Sequence, residues 1–283
     1  MVRILVPSAA YVLTDHLISS EGISCYNLFR SMERFGYFFE AVSAHVRVKK
    51  LLKNVNFHQV GTFKASPTSN IIKKYIDHVE FMTRSYLKST KIMKEKEISI
   101  VHHMLPAVYN QTFNLLALLE KTRGRPFVFG PISAHFYYRP LDEKVLMGLT
   151  SKLHMRTIRK CDKIIAITQQ VKNVYSRIVE DERIWVIPLG VDTSFFKPLE
   201  KRHHKEGFEV LSVGYLYKLK GMEFLVRSMA TVAKERKDVK LRIVGEGPEK
   251  NKLADLTNAL GLKEMVIFEG FVPHTRMAEY YQR

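Results

Sequence analysis

The sequence predicts an α/β protein made of two Rossmann-like, doubly wound parallel-sheet domains, the second one incomplete. Three observations predict it. Short runs rich in β-branched and aromatic residues alternate with helix-period segments along most of the 283 residues. The alternation pauses at one polar stretch and then starts again. Two of its strand-to-helix connections are short and bounded by glycine. Such alternation gives a parallel sheet covered by helices on both faces.

The first strand is "RILVPS". It is followed by "CYNLFRSMERFG", where Leu28, Phe29, Met32 and Phe35 recur at helical spacing, and by "YFFEAVSAHV", which completes a βαβ unit. Next come "FHQVGTF", a long helix over about 71–96, "ISIVHHML", and a helix near 112–121. After these follow "PFVFGPI", a helix near 143–160, "KIIAIT", a helix near 171–179 and "IWVIPLG". The polar stretch "LEKRHHKEG" reads as an interdomain linker, which divides the chain into residues 1–190, a linker over 191–207, and 208–283. The second part repeats the pattern with "FEVLSVG", a helix, "VKLRIVGE", a helix over 248–259, "EMVIFEG" and the start of another helix. Three strands are fewer than a doubly wound domain of ordinary size contains, so a truncated second domain is expected.

Composition narrows the partners. The formal charge is +17, and residues 1–190 hold 28 Lys+Arg against 15 Asp+Glu, so the basic surface belongs mainly to the first domain. That balance favours polyanions such as anionic lipid or phosphorylated substrates. No RRM, KH, zinc-finger or helix-turn-helix signature accompanies it, which argues against nucleic acid. Cys25 and Cys161 belong to no C-x-x-C pair, so neither a disulfide framework nor a zinc site is suggested and a cytoplasmic location is expected. No apolar run reaches transmembrane length, which leaves peripheral contact with an anionic membrane. The basic amphipathic stretch "VRVKKLLKN" is the candidate, helped by Arg156 and Arg159 in "HMRTIRK".

The stretch "VGYLYKLKG", residues 213–221, ends a strand, carries Lys218 and Lys220 through a loop and opens a helix. Free N–H donors and partial positive charge at a helix N-terminus suit such a loop to phosphate. The alternative is an ordinary turn with solvated lysines. "GEGP", residues 245–248, likewise joins a strand to a helix; Gly245 and Gly247 permit close backbone approach, and Pro248 suits a first helical turn. His102 and His103 are adjacent on a strand and therefore face opposite sides, and no histidine sits at a metal-ligand spacing. His135, just after Gly130, Pro131 and Ser133, lies at the carboxyl end of a strand, the edge at which open α/β sheets bind ligands.

In this order, "VIPLGVDTSFFKP", "LSVGYLYKLKGMEFLVRSM", "LRIVGEGPEKNKL" and "VIFEGFVPHTRMAEYYQ" resemble the retaining GT-B glycosyltransferases of family 4, the glycosyltransferase group 1 family. "VFGPISAHFYYRP" and "CDKIIAITQQVKNVY" are similar to first-domain segments of that family. The resemblance implies a GT-B fold and transfer of a sugar from a nucleotide-diphosphate-sugar donor to a glycan or lipid-linked acceptor hydroxyl. The nucleotide sugar is then a substrate, and no cofactor or metal is implied. It also implies a diphosphate grip by Lys220 in the loop of Gly214, Tyr215 and Lys218, with Tyr215 where the family usually has an arginine. Gly245, Gly247 and Pro248 would lie beside the nucleotide. Gly22, Gly130, Ser133 and His135 would line the first domain's side of the cleft, with Gly22 standing alone where the family has a glycine pair. The family's two glutamates, seven residues apart, would follow "AEYYQR"; Glu269, on the preceding strand, does not replace them. An inactive truncated chain that keeps only binding or membrane association remains the alternative, and a salt-sensitive nucleic-acid binder the more distant one.

Overall fold

The computed structural model describes residues 2–17, 19–61, 71–104, 112–122, 124–132, 141–198 and 207–282. They fall into two compact units, Met1–Gly190 and Val191–Arg283.

The first unit begins with β1 (Arg3–Val6), β2 (Val12–Thr14), α1 (Ser20–Met32), β3 (Phe38–Ser43), β4 (His45–Arg47) and β5 (Val55–Gln59). It continues with α2 (Ile71–Glu95), β6 (Ile100–His103), α3 (Leu115–Leu118), β7 (Phe127–Ile132), α4 (Leu141–Arg159), β8 (Lys163–Ala166), α5 (Gln169–Tyr175) and β9 (Ile184–Val186). Seven of these strands form one parallel sheet in the order β5-β3-β1-β6-β7-β8-β9. The order reverses at β1, so the carboxyl ends of β1 and β6 flank the topological switch point.

Alternation along the strands sorts the core into two layers. Ile4, Val6, Phe39 and Ala41 pack with Cys25, Tyr26 and Phe29 of α1, whereas Leu5, Val42, Val101 and Phe129 pack with Ile92, Ile158 and Val171 from the helices of the other face. Glu40 falls on that second face and is fully buried. Its carboxylate accepts hydrogen bonds from Arg3 at 3.0 Å, Asn56 at 3.0 Å, His58 at 2.7 Å and Lys96 at 2.7 Å, so β1, β3, β5 and the end of α2 are tied at one point.

Two local features depart from the sequence reading, and it leaves a third open. "YFFEAVSAHV" is two strands, β3 and the start of β4, and β4 leaves the main sheet to pair with β2, which the chain forms after Pro7 ends β1. The helix expected near 112–121 is a single turn, with the Asn114 side chain accepting from the Ala117 N–H and left-handed Glu120 ending it. "VRVKKLLKN", read from the sequence as a basic amphipathic stretch, is the end of β4 followed by a bend at Lys49 and Lys50 and a turn at Lys53 and Asn54 that leads into β5.

The second unit contains β10 (Phe208–Val213), α6 (Met222–Glu235), β11 (Val239–Val244), α7 (Lys250–Ala259), β12 (Val266–Gly270) and α8 (Met277–Tyr281). Its three strands are parallel in the order β10-β11-β12. Leu241 and Ile243 pack under α6 and α7 with Val226, Met229 and Leu253. On the opposite face Val244, Met277 and Tyr280 gather Phe196, and the Phe195 ring stacks on His274 with centroids 5.5 Å apart. Residues 191–198, expected in the linker, thus pack into this unit, and residues 199–206 lie outside the described ones.

Burial raises the proton affinity of Glu40, but hydrogen bonds from Lys96, His58 and Asn56 outweigh it and hold the carboxyl below its ordinary value. The stabilisation is therefore complete above about pH 4.5, the unfolded value, and is lost as pH falls through the lower folded one. Glu40→Gln should cost about 2–3 kcal/mol at neutral pH, because it leaves the Arg3 and Lys96 cations without their anion. Urea unfolding checks this: a lower midpoint is expected, and an unchanged one contradicts it.

Candidate functional site

The best-formed candidate site is the pair of strand-to-helix loops in the second unit. β10 ends at Val213, and the chain passes Gly214, Tyr215, Leu216 and Tyr217 before a 3₁₀ turn at Lys218–Lys220. Gly221 closes the turn in the left-handed conformation, φ 66°, and caps α6. A side chain there would be strained, so glycine lets one residue end the turn and start the helix.

The neighbouring loop holds this one in place. Leu216 is fully buried; its N–H donates to the Glu246 carbonyl at 2.9 Å and its carbonyl accepts from the Glu249 N–H at 3.1 Å. A Cβ on Gly245 would lie 1.9 Å from the Gly214 oxygen, and one on Gly247 would lie 2.6 Å from the Leu216 backbone. These glycines therefore serve the approach of one loop to the other. Pro248 is exposed at the start of the turn leading into α7.

The tip of the first loop is polar and open. Lys218 and Lys220 are exposed and form no ion pair or side-chain hydrogen bond among the described residues. Nearby cations differ: Lys250 pairs with Glu246 at 2.7 Å, and Lys252 with Glu223 at 2.9 Å. The Lys252 and Arg227 contacts hold Glu223 below its usual carboxylate range, so the acid in the first turn of α6 is already neutralised. The Tyr215 and Tyr217 rings meet at a tilt of 37° with centroids 4.3 Å apart, and partial burial together with the neighbouring Tyr215 raises the Tyr217 hydroxyl pKa. Two unpaired ammonium groups beside the N-terminus of a 14-residue helix are an anion-binding arrangement. Glu269 is engaged elsewhere, with Arg242 and with the Tyr280 hydroxyl at 3.2 Å.

In the first unit the expected residues do not assemble in the same way. Gly22 lies in the first turn of α1, where a Cβ would stand 1.9 Å from the Val12 oxygen. Gly130 has φ 135°, and a Cβ there would stand 2.4 Å from the Ile165 oxygen. Both are packing glycines. Ser133 and His135 lie outside the described residues. His102 donates to the Gly130 carbonyl at 2.9 Å, and burial lowers its pKa to about 4 despite that bond. His103 faces the other way, stacked on Phe129 and hydrogen-bonded to Asn114 at 2.9 Å. Among the described residues no group of His, Cys, Asp and Glu is gathered as a metal site.

Glu21 is the group the sequence reading overlooked. It follows the Ser19 cap of α1, makes no hydrogen bond or ion pair among the described residues, and is pushed up to about 7 by burial. A carboxyl titrating near neutrality beyond the carboxyl edge of β1 can exchange a proton with a hydroxyl. The one signal in the sequence is an acid two residues after a capping serine in a βα connection.

The comparisons with known proteins fit this construction. The Glycosyltransferase Family 4 profile matches residues 23–195, and that of Glycosyl transferases group 1 matches residues 195–283. The chain belongs to glycosyltransferase family 4. It is 30% identical over 202 residues to an uncharacterized glycosyltransferase of Haemophilus influenzae, covering 71% of this chain and 53% of the relative. It is 25% identical over 197 residues to a phosphatidylinositol N-acetylglucosaminyltransferase component of Arabidopsis thaliana, covering 66% of this chain and 40% of that protein. The chain thus spans about half the length, or less, of these two relatives. Among solved structures, a sucrose-phosphate synthase from Thermosynechococcus elongatus matches with a TM-score of 0.67 at 16% identity, over 100% of this chain and 73% of that one. That likeness is one of fold, and the fold is GT-B.

Because the folded pKa of Glu21 lies above its unfolded value, this group contributes less stability as pH rises from about 4.5 to about 7. Glu21→Gln should therefore stabilise the protein by about 2–3 kcal/mol at about pH 8 and leave it nearly unchanged at about pH 4. Chemical denaturation at both pH values reads this out. A gain that is equal at the two values, or absent at the higher one, contradicts the assignment.

Proposed function

We propose that this family 4 chain takes part in retaining sugar transfer from a nucleotide-diphosphate-sugar donor to an acceptor hydroxyl, with its second unit holding the donor. The observation that carries the reading is the pair of unpaired lysines, Lys218 and Lys220, on a backbone-braced loop that feeds the N-terminus of α6. Lys220 is assigned to the diphosphate, with Lys218 adding charge where Tyr215 supplies none. As the bond from sugar to diphosphate breaks, negative charge grows on the leaving group. An oriented ammonium and a helix N-terminus stabilise that charge without reorganising, and losing one such cation costs about 2–4 kcal/mol in the transition state. Gly245, Gly247 and Pro248 belong to the nucleotide side of the same loop pair.

The acceptor belongs to the first unit. The name of the Arabidopsis relative includes phosphatidylinositol, and this supports a lipid-linked hydroxyl as acceptor. A basic first unit, with no described helix long and apolar enough to cross a membrane, fits peripheral contact with an anionic lipid surface. Retention requires bond making and bond breaking on one face of the sugar, so positioning carries much of the rate.

Donor binding tests the reading directly. A nucleoside diphosphate alone should bind in the millimolar range, about 4 kcal/mol. Lys220→Ala should weaken binding by about tenfold and Lys218→Ala by clearly less. Equal losses in the two variants would remove Lys220 from its role, and no measurable binding by the parent chain would remove the site.

A further inference from the structure

We propose that the braced connection between β4 and β5 is a docking element for an anionic lipid bilayer, with Leu51 as its inserting side chain. This deepens the membrane contact proposed above. It assigns that contact to one loop and makes it independent of the donor site.

The segment from Arg47 to Lys53 contains Arg47, Lys49, Lys50 and Lys53 and no acidic residue. All four cations are exposed, and none is in an ion pair among the described residues. Between them Leu51 is 75% exposed, while its neighbour Leu52 is 7% exposed and packs with Phe29, Phe39 and Val55. Adjacent in the chain, the two leucines differ sharply in exposure: Leu52 is fixed in the core and Leu51 is turned out to solvent.

The backbone around Leu51 is held from several directions. The Asp15 carboxylate accepts from the Lys49 N–H at 3.1 Å and from the Lys50 N–H at 2.9 Å. The Tyr26 hydroxyl, on α1, donates to the Lys50 carbonyl at 2.8 Å. Buried Asn54 donates to the Phe29 carbonyl at 3.0 Å and to the Tyr37 carbonyl at 3.3 Å. Partial burial raises the proton affinity of Asp15, but His16, at 2.6 Å, and the two loop amides outweigh it and keep the carboxyl below its usual value. This support therefore persists well into the acid range. The loop presents an exposed aliphatic side chain among exposed cations on a backbone already held in place, so binding orders little further.

Charge and shape together select the occupant. Four clustered cations in a unit with 28 Lys+Arg against 15 Asp+Glu complement a negatively charged surface, and each lysine or arginine near anionic lipid contributes about 1 kcal/mol. A nucleic acid would use the cations but would leave Leu51 exposed. A bilayer uses both, because the lysine ammonium groups reach head groups while the leucine enters the acyl boundary.

The test uses the whole chain and vesicles of phosphatidylcholine with or without phosphatidylglycerol. Trp185 is the sole tryptophan, so L51W in a W185F background reports on the loop alone. Its emission should shift to the blue with the anionic vesicles and stay unchanged with the neutral ones. K49Q/K50Q/K53Q should weaken vesicle binding by about a hundredfold, three cations at about 1 kcal/mol each, with no change in the unfolding midpoint. Vesicle binding without a blue shift, binding fully competed by soluble polyphosphate without a blue shift, or no vesicle binding at all would each overturn the proposal. Nucleoside diphosphate binding by the same sample is read separately, so failure at the vesicle and failure at the donor loop are distinguishable.

Discussion

The candidate donor site depends on the backbone pairing of Leu216 with Glu246 and Glu249. A loop that must grip a diphosphate needs its cations free and its backbone fixed, and these demands conflict unless something other than the cations orders the loop. Here the second βα loop does so. It approaches to a distance that only Gly245 and Gly247 permit, and it takes up both polar groups of a buried residue. Lys218 and Lys220 remain unpaired, and Gly221 turns the chain directly into α6. Family 4 membership and the GT-B fold give this arrangement its chemical context.

The first unit uses a different device. A parallel sheet buried on both faces has few polar places where strands can be cross-linked, and Glu40 is one of them, accepting from Arg3, Asn56, His58 and Lys96. Truncating the anion strands its partners, which makes such a group an all-or-none tie. Around that frame the connections hold the groups to which a role is proposed: Glu21 after the Ser19 cap, and the cationic loop braced by Asp15 and Tyr26.

Much of this was legible in the sequence. The strand-helix alternation implied the parallel sheets, because period-2 and period-3.6 patterns follow directly from backbone geometry. The strand, lysine-bearing turn and glycine-opened helix of 213–221 were legible because the pattern changes period at Gly214 and Gly221. Glycines were harder to read. At Gly22, Gly130, Gly245 and Gly247 a missing Cβ could mean close approach of a ligand or of another chain segment, and in each case backbone atoms stand where the Cβ would be. The strand pair β2 and β4 was hidden because its pairing is non-local and its strands have three residues each. "VRVKKLLKN" was legible only as basic and amphipathic; burial of Leu52 and capture of the Lys49 and Lys50 amides by Asp15 fix its path. Tertiary partners decided there, and local pattern could not show them.

The central claim is that the braced loop and the α6 N-terminus form one diphosphate site. Two-dimensional amide NMR during titration with a nucleoside diphosphate tests it most directly. The account predicts that the largest shifts gather at the amides from Lys218 to Glu223, with smaller ones at Gly245 to Glu249 transmitted through Leu216. Shifts concentrated in the first unit, or spread evenly over the basic surface with the 218–223 amides unmoved, would contradict it.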